Sequence, residues 1–279
     1  MRIKIWGCRG SVPSPGGDTS RYGGNTTCVE VRLGDGSLVV IDAGSGIRNL
    51  GRELIRRSES RHIHLFLTHA HWDHVQGFPF FLPAYQKRFT LQVWGGPRNA
   101  GTLRSYLRQQ LTPPFFPVKF AELGATLRFP ARPAPEIRID GTRIQAIPLA
   151  HPDGGFGFKF SEAGRSLVFL TDNELGFRHP GGLSFKHYAE LCRGADLVLH
   201  DAQYTPEEYR LTRGWGHSTF PAVVELCRAA APKRFGLIHH DPQHTDPELD
   251  RHVRDCRRAL GRRGADCFGA VEGMEIPVG

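Results

Sequence analysis

His62-Ile63-His64-Leu65-Phe66-Leu67-Thr68-His69-Ala70-His71-Trp72-Asp73-His74 is the stretch whose reading decides the fold. It begins as a compact apolar run, His62–Leu67, which reads as a strand. It ends in four metal-competent side chains within six residues: His69, His71, Asp73 and His74. So short a segment cannot aim every side chain at one ion without strain. On a loop it can feed two adjacent ions, about 3.5–4 Å apart in two-metal sites. Imidazole and carboxylate suit zinc, manganese or iron. The spacing excludes a helical H-x-x-x-H zinc-protease site. A surface turn that happens to be rich in histidine is the reading without function. It is disfavoured because an apolar strand leads into the cluster and further ligand candidates recur downstream.

That recurrence organises the chain. Arg2–Trp6, Cys28–Leu33 and Leu38–Ile41 read as strands, the last two joined by the turn Gly34-Asp35-Gly36-Ser37. Gly46–Arg57 and Asn99–Leu111 have helical spacing, and Leu91–Trp94 reads as a strand. In the second half, Arg143–Leu149 leads to His151 and Ser166–Leu170 to Asp172. Ala195–Leu199 leads to His200-Asp201, and Phe235–Ile238 to His239-His240. Helices are expected at Ser184–Arg193, Pro221–Ala231 and Pro247–Leu260. In layered α/β proteins, the carboxyl ends of strands are where sites are built.

Thr68–His74 resembles the signature of the metallo-β-lactamase fold, and the resemblance runs in order over nearly the whole chain. Val40-Ile41-Asp42-Ala43-Gly44 looks like the family's strand and turn before the cluster, where the Asp supports the metal loop. His151 matches the next histidine ligand, and Asp172 the carboxylate that bridges two metals. The last histidine matches His240 or His239; His240 is preferred, because the family's ligand tends to lie two residues beyond the strand. The resemblance thus implies two divalent ions, zinc first and manganese or iron next. His69, His71 and His151 would hold one ion, Asp73, His74 and His240 the other, with Asp172 between them. It implies an α/β fold: a four-layer αββα sandwich formed by a single domain over residues 1–279.

Two segments narrow the branch. Ala195–Ala202, with His200-Asp201, resembles the acidic motif of ribonuclease Z and its phosphodiesterase relatives. Gly216-His217-Ser218-Thr219 resembles that branch's second histidine motif, although Ser or Thr before Pro221 is also an ordinary helix cap. Phosphodiester cleavage fits. Two cations lower the pKa of a water held between them, and a histidine across the site protonates the departing alkoxide. His217 is the candidate acid and Asp201 its orienting carboxylate, with Asp73 essential through its ion. Backbone N–H groups at Ser218–Phe220 would add a phosphate contact. The tRNA endonucleases of the branch carry a long arm between the third histidine and the bridging Asp, whereas His151 and Asp172 here lie 21 residues apart. The expected substrate is therefore a small phosphodiester such as a cyclic nucleotide. An RNA 3′-processing endonuclease of the ribonuclease Z type is the alternative, and a lactonase-like hydrolase or a metal-dependent nucleotide sensor is further off.

The 279 residues, 39% hydrophobic and 23% charged, allow a substantial core. No apolar run spans a bilayer, the N-terminus alternates instead of resembling a signal peptide, and a cytoplasmic location follows by default. Six scattered cysteines without a C-x-x-C pair read as reduced, buried thiols. A net charge of +8 fits an anionic substrate or nucleic acid. Arg251, Arg254, Arg257, Arg258, Arg262 and Arg263 read as a solvated helix face. Arg9 or Arg21, in the long Gly7–Thr27 loop, are candidate substrate contacts, with a plain surface loop as the equal alternative. A homodimer is left open.

Overall fold

Alternating Arg2-Ile3-Lys4-Ile5 makes strand β1 (Arg2–Gly7), with Ile3 and Ile5 fully buried. The computed structural model describes residues 1–57, 61–95, 100–130, 135–262 and 264–279. β2 (Cys28–Arg32) and β3 (Leu38–Ile41) pair antiparallel around the expected turn. There Gly36 takes φ 90° and Asp35 accepts the Ser37 N–H. α1 (Ile47–Arg56), β4 (His62–Phe66), the single turn α2 (Trp72–Val75), β5 (Thr90–Trp94), α3 (Ala100–Gln110) and β6 (Thr126–Arg128) follow. Asn99, expected to open the third helix, lies outside the described residues.

The second half runs β7 (Glu136–Ile139), β8 (Thr142–Pro148), β9 (Phe156–Glu162), β10 (Arg165–Leu170), α4 (Phe185–Cys192) and β11 (Leu197–Asp201). It continues with α5 (Pro206–Thr212), α6 (Phe220–Ala230), β12 (Arg234–Ile238), α7 (Asp246–Leu260), β13 (Asp266–Gly269) and β14 (Glu275–Pro277). One sheet has the order β14-β1-β2-β3-β4-β5-β6 and the other β13-β12-β11-β10-β9-β8-β7, so the C-terminal strand crosses back to close the first sheet.

Strand alternation divides the apolar residues into three layers. Val39, Ile41 and Phe66 face Phe158, Phe160 and Phe169 of the other sheet. Leu38, Val40, Ile63 and Leu65 point the opposite way, onto Leu50 and Leu54 of α1 and Leu103 and Leu107 of α3. Val168, Leu170 and Val198 likewise meet Tyr188 of α4, Val223 of α6 and Val253 of α7. This is the αββα sandwich. Each fully buried Leu, Ile or Phe contributes about 1.5–3 kcal/mol of transfer free energy, which is why the two-residue period specifies the layers.

All six cysteines are buried and free. The arginines of α7 are exposed while Leu249, Val253 and Cys256 face inward. Arg251 lies 3.7 Å from Glu248, Arg258 lies 3.3 Å from Asp255, and Arg257 Nε donates to the Cys267 carbonyl. The helix thus answers much of its own charge, as a solvated face does; Arg263 lies outside the described residues.

Candidate active site

Asp42, directly after β3, is fully buried with φ 62°. Its Oδ1 accepts the Thr68 N–H at 2.8 Å, and its Oδ2 lies 2.9 Å from Thr68 Oγ1 and 2.8 Å from His74 Nδ1. One carboxylate therefore ties both ends of the His-rich loop together. It also assigns the His74 tautomer: Nδ1–H donates to Asp42 and Nε2 is left facing the cluster. Burial pushes the Asp42 carboxyl up, against the pull of the His74 imidazole.

Around that loop the predicted ligands converge from four strand ends. His151 Nε2 lies 3.1 Å from His71 Nδ1. Asp73 Oδ2 is 3.2 Å from His74 Nε2, and Asp172 Oδ2 is also 3.2 Å from it. Asp172 Oδ1 is 3.8 Å from His69 Nε2. His69, His71 and His151 form one candidate triad, and Asp73, His74 and His239 another; His69, His74 and Asp172 overlap both.

A divalent ion fits these donors. A zinc–nitrogen bond of about 2.0–2.1 Å places tetrahedral ligands about 3.3 Å apart, close to the spacings seen. His69 Nε2 and Asp172 Oδ2 are buried without a hydrogen bond, as metal-directed atoms would be. Burial alone would lower the His74 imidazole, yet Asp73, Asp172 and Asp42 hold it well above its ordinary value. Asp73 and Asp172, although buried, stay well below the carboxylate range because imidazoles surround them.

The last histidine departs from expectation. His239, not His240, enters the cluster, its Nε2 3.2 Å from His74 Nε2, 3.1 Å from Asp73 Oδ2 and 3.4 Å from Asp172 Oδ2. β12 ends at Ile238, and His239 takes φ 62°, which turns its ring into the site. Gly10 lies against that ring, where a Cβ would come within 2.4 Å of His239 Nδ1. His240 returns to extended pairing with Arg9, and its Nε2–H donates to the Ala270 carbonyl at 2.8 Å. Burial lowers its pKa to about 3. His239→Ala should therefore lower bound metal by one ion per chain in elemental analysis, while His240→Ala keeps metal content and lowers Tm. Metal loss on changing His240 alone would reverse the assignment.

His217 lines the same cavity, of about 500 Å³, together with Ser11, Trp72, Asp73, Asp172 and His239. Its Nδ1 is buried without a hydrogen bond, 3.6 Å from Asp201 Oδ2 and 3.9 Å from Asp172 Oδ1. Asp201 sits inside β11, beyond the expected strand end, and acts on the backbone: it accepts the N–H groups of Asn173 at 3.0 Å and Ser218 at 2.9 Å. Of the N–H groups expected to contact phosphate at Ser218–Phe220, two are taken within the protein: Asp201 accepts that of Ser218 and the Tyr204 carbonyl that of Phe220.

A family profile described as the β-lactamase superfamily domain matches residues 38–240, from β3 to the last histidine pair. The chain belongs to that superfamily. It is a metal-dependent hydrolase of the metallo-β-lactamase fold and resembles ribonuclease Z. Ribonuclease Z of Haloarcula marismortui is 25% identical over a 324-residue alignment, which covers 99% of this chain and 96% of that protein. Human tRNase Z, short form, superposes with TM-score 0.67 at 20% identity, with all of both chains covered. A diphosphatase of the PhnP family gives TM-score 0.67 at 19% identity, covering 99% of this chain and 97% of that one.

In this superfamily member the arginines of the N-terminal loop bond other parts of the protein. Arg9 is fully buried, its Nε donating to the Gly23 carbonyl and its Nη1 to those of Asp241 and His244. Arg21 forks onto Asp250. The loop's contribution is Ser11, whose backbone N–H donates to Asp73 Oδ2 at 2.8 Å. Nothing in the residue type of Ser11 signals that contact; it depends on the loop folding over a segment 62 positions away.

Proposed function

We propose that the chain is a phosphodiesterase of the ribonuclease Z type, cleaving an RNA phosphodiester with two divalent ions, zinc first among them. Residues 1–279 act as one domain, since both sheets contribute ligands. His69, His71 and His151 would hold one ion, and Asp73, His74 and His239 the other, with Asp172 between. When bound, the ions neutralise non-bridging phosphate oxygens and acidify the attacking water. The observation that carries the reading is His217. It is an imidazole in the same cavity, beside Asp172 and His239, where it can deliver a proton to a departing ribose oxygen. Asp201 holds it through the Ser218 peptide. Aryl esters and other substrates with easily expelled leaving groups have less need of such an acid. Trp72, 82% exposed at the cavity mouth, offers a stacking face for a base.

The RNA reading is favoured by the full-length likeness to ribonuclease Z and by a second groove. Arg104, Arg108 and Lys119 line a cavity of about 650 Å³ with apolar Leu111, Phe120 and Leu123. All three cations are exposed. A smaller diester is the second reading, favoured by the His151–Asp172 interval: two tight turns and the strands β9 and β10 fill it, leaving no projecting arm.

The metal-loaded protein should turn over a precursor tRNA with higher kcat/KM than cyclic nucleotides or bis-p-nitrophenyl phosphate. Replacing Arg104, Arg108 and Lys119 together with alanine should lower the log–log salt slope of RNA binding by about 2–3 units and leave the small diesters unaffected. Faster turnover of a cyclic nucleotide than of any RNA would move the assignment to the small diester.

A further inference from the structure

Glu174 lies two residues beyond Asp172, and its side chain is fully buried. Its Oε1 accepts the Gly214 N–H at 2.8 Å and the Tyr209 hydroxyl at 2.5 Å. Its Oε2 accepts the Gly216 N–H at 2.8 Å and lies 2.6 Å from His179 Nε2. A carboxylate offers about four acceptor positions, and all of them are used. Its own backbone N–H donates to the Ala150 carbonyl at 2.8 Å, one residue before His151.

The Gly216 peptide carries this anchoring into the metal site. Its carbonyl lies 3.2 Å from His151 Nδ1. A carbonyl can only accept, so Nδ1 carries the proton and Nε2 presents a lone pair toward His71. The contact is close: Gly216 has φ 101°, and a Cβ there would fall 1.8 Å from His151 Nδ1. The residue that follows is His217.

We infer that Glu174 is a positioning residue that fixes the Gly216 peptide, and through it both the tautomer of His151 and the placement of His217. The inference rests on the assignment of His151 as a metal ligand. A glutamine at 174 keeps the shape but turns one acceptor oxygen into an NH₂ group. Each oxygen of Glu174 meets a backbone N–H, so one glycine N–H then faces a donor and the loop must shift.

The test is zinc affinity by competition with a chromophoric chelator, on wild type and three variants. Glu174→Gln should weaken the zinc held through His151 about 10–100-fold, the range for loss of a partner behind a metal ligand. Tyr209→Phe removes a bond to the same carboxylate while sparing Gly216, and should leave the affinity near that of the wild type. His151→Ala is the reference for losing the ligand outright. Wild-type affinity in Glu174→Gln, with His151→Ala impaired, overturns the inference and leaves the site assignment standing. Normal zinc binding in His151→Ala overturns the assignment and the inference with it. Equal losses in Tyr209→Phe and Glu174→Gln would mark a merely structural role and also overturn it. If Glu174→Gln does not fold, amide exchange in the wild type decides. The Gly216 N–H must then exchange as slowly as the amides of β11, and exchange at an open-loop rate refutes the anchoring.

Discussion

Asp172→Asn is expected to lower kcat/KM by about 10³-fold or more and to release bound metal. The carboxylate stands between the two candidate triads, Oδ1 toward His69 and Oδ2 toward His74 and His239. Cations on a phosphoryl oxygen are worth several kcal/mol of transition-state stabilisation, and each 1.36 kcal/mol is tenfold in rate. Asparagine is the informative replacement. Residue 172 has φ 58°, a left-handed conformation that Asn accepts and Ala resists, so the variant removes charge with little added backbone strain. Elemental analysis and kinetics on one preparation check it. Two retained ions with activity within tenfold of wild type would show that Asp172 does not join the two halves.

His217→Ala should lower kcat by about 10²–10⁴-fold, the usual contribution of a positioned acid, with both ions still bound. The loss should shrink for a p-nitrophenyl leaving group, which departs without a proton. Asp172, His217 and His239 also form a ligand-like group with atoms within 4.8 Å of one another. Loss of an ion in His217→Ala would therefore make this residue a ligand and remove it from acid catalysis. Asp201→Asn should do comparable damage, because its carboxylate holds the N–H groups of both Asn173 and Ser218 and so sets the loops of Asp172 and His217 together. Full activity of His217→Ala on an unactivated diester would leave Gly216–Thr219 as a helix cap alone.

Legibility followed the range of the interactions. The two-residue period of Leu38–Ile41 and His62–Phe66 placed side chains on opposite sheet faces, because successive strand residues point opposite ways whatever lies beyond. The packing of Phe66 against Phe158 and of Leu65 against α1 bears that pattern out. Four of the cluster residues were legible for a similar reason: H-x-H-x-D-H spans so few bonds that any loop bearing it brings His69, His71, Asp73 and His74 close. His151 and Asp172 were found because each follows an apolar strand and the family resemblance supplied the order. The strands β6, β7, β13 and β14 and the helices α2 and α5 went unread, being short segments whose place depends on distant partners.

What the sequence by itself determined, then, was a mixed α/β chain and the loop that concentrates metal donors, since both rest on covalent spacing and local periodicity; the four-layer sandwich followed from the family resemblance, not from the periodicity. The tertiary structure alone decided which of two adjacent histidines enters the donor cluster. His239 and His240 are chemically identical, and only the left-handed turn at 239 and the pairing of His240 with Arg9 separate them. It also decided that Arg9 is a buried brace, that Ser11 supports Asp73 through its backbone, and that Glu174 reaches across 42 positions to Gly216. Each of these depends on a backbone N–H, a carbonyl or a φ angle, groups that every residue possesses, so residue type carries no mark of them until the fold brings the partners together.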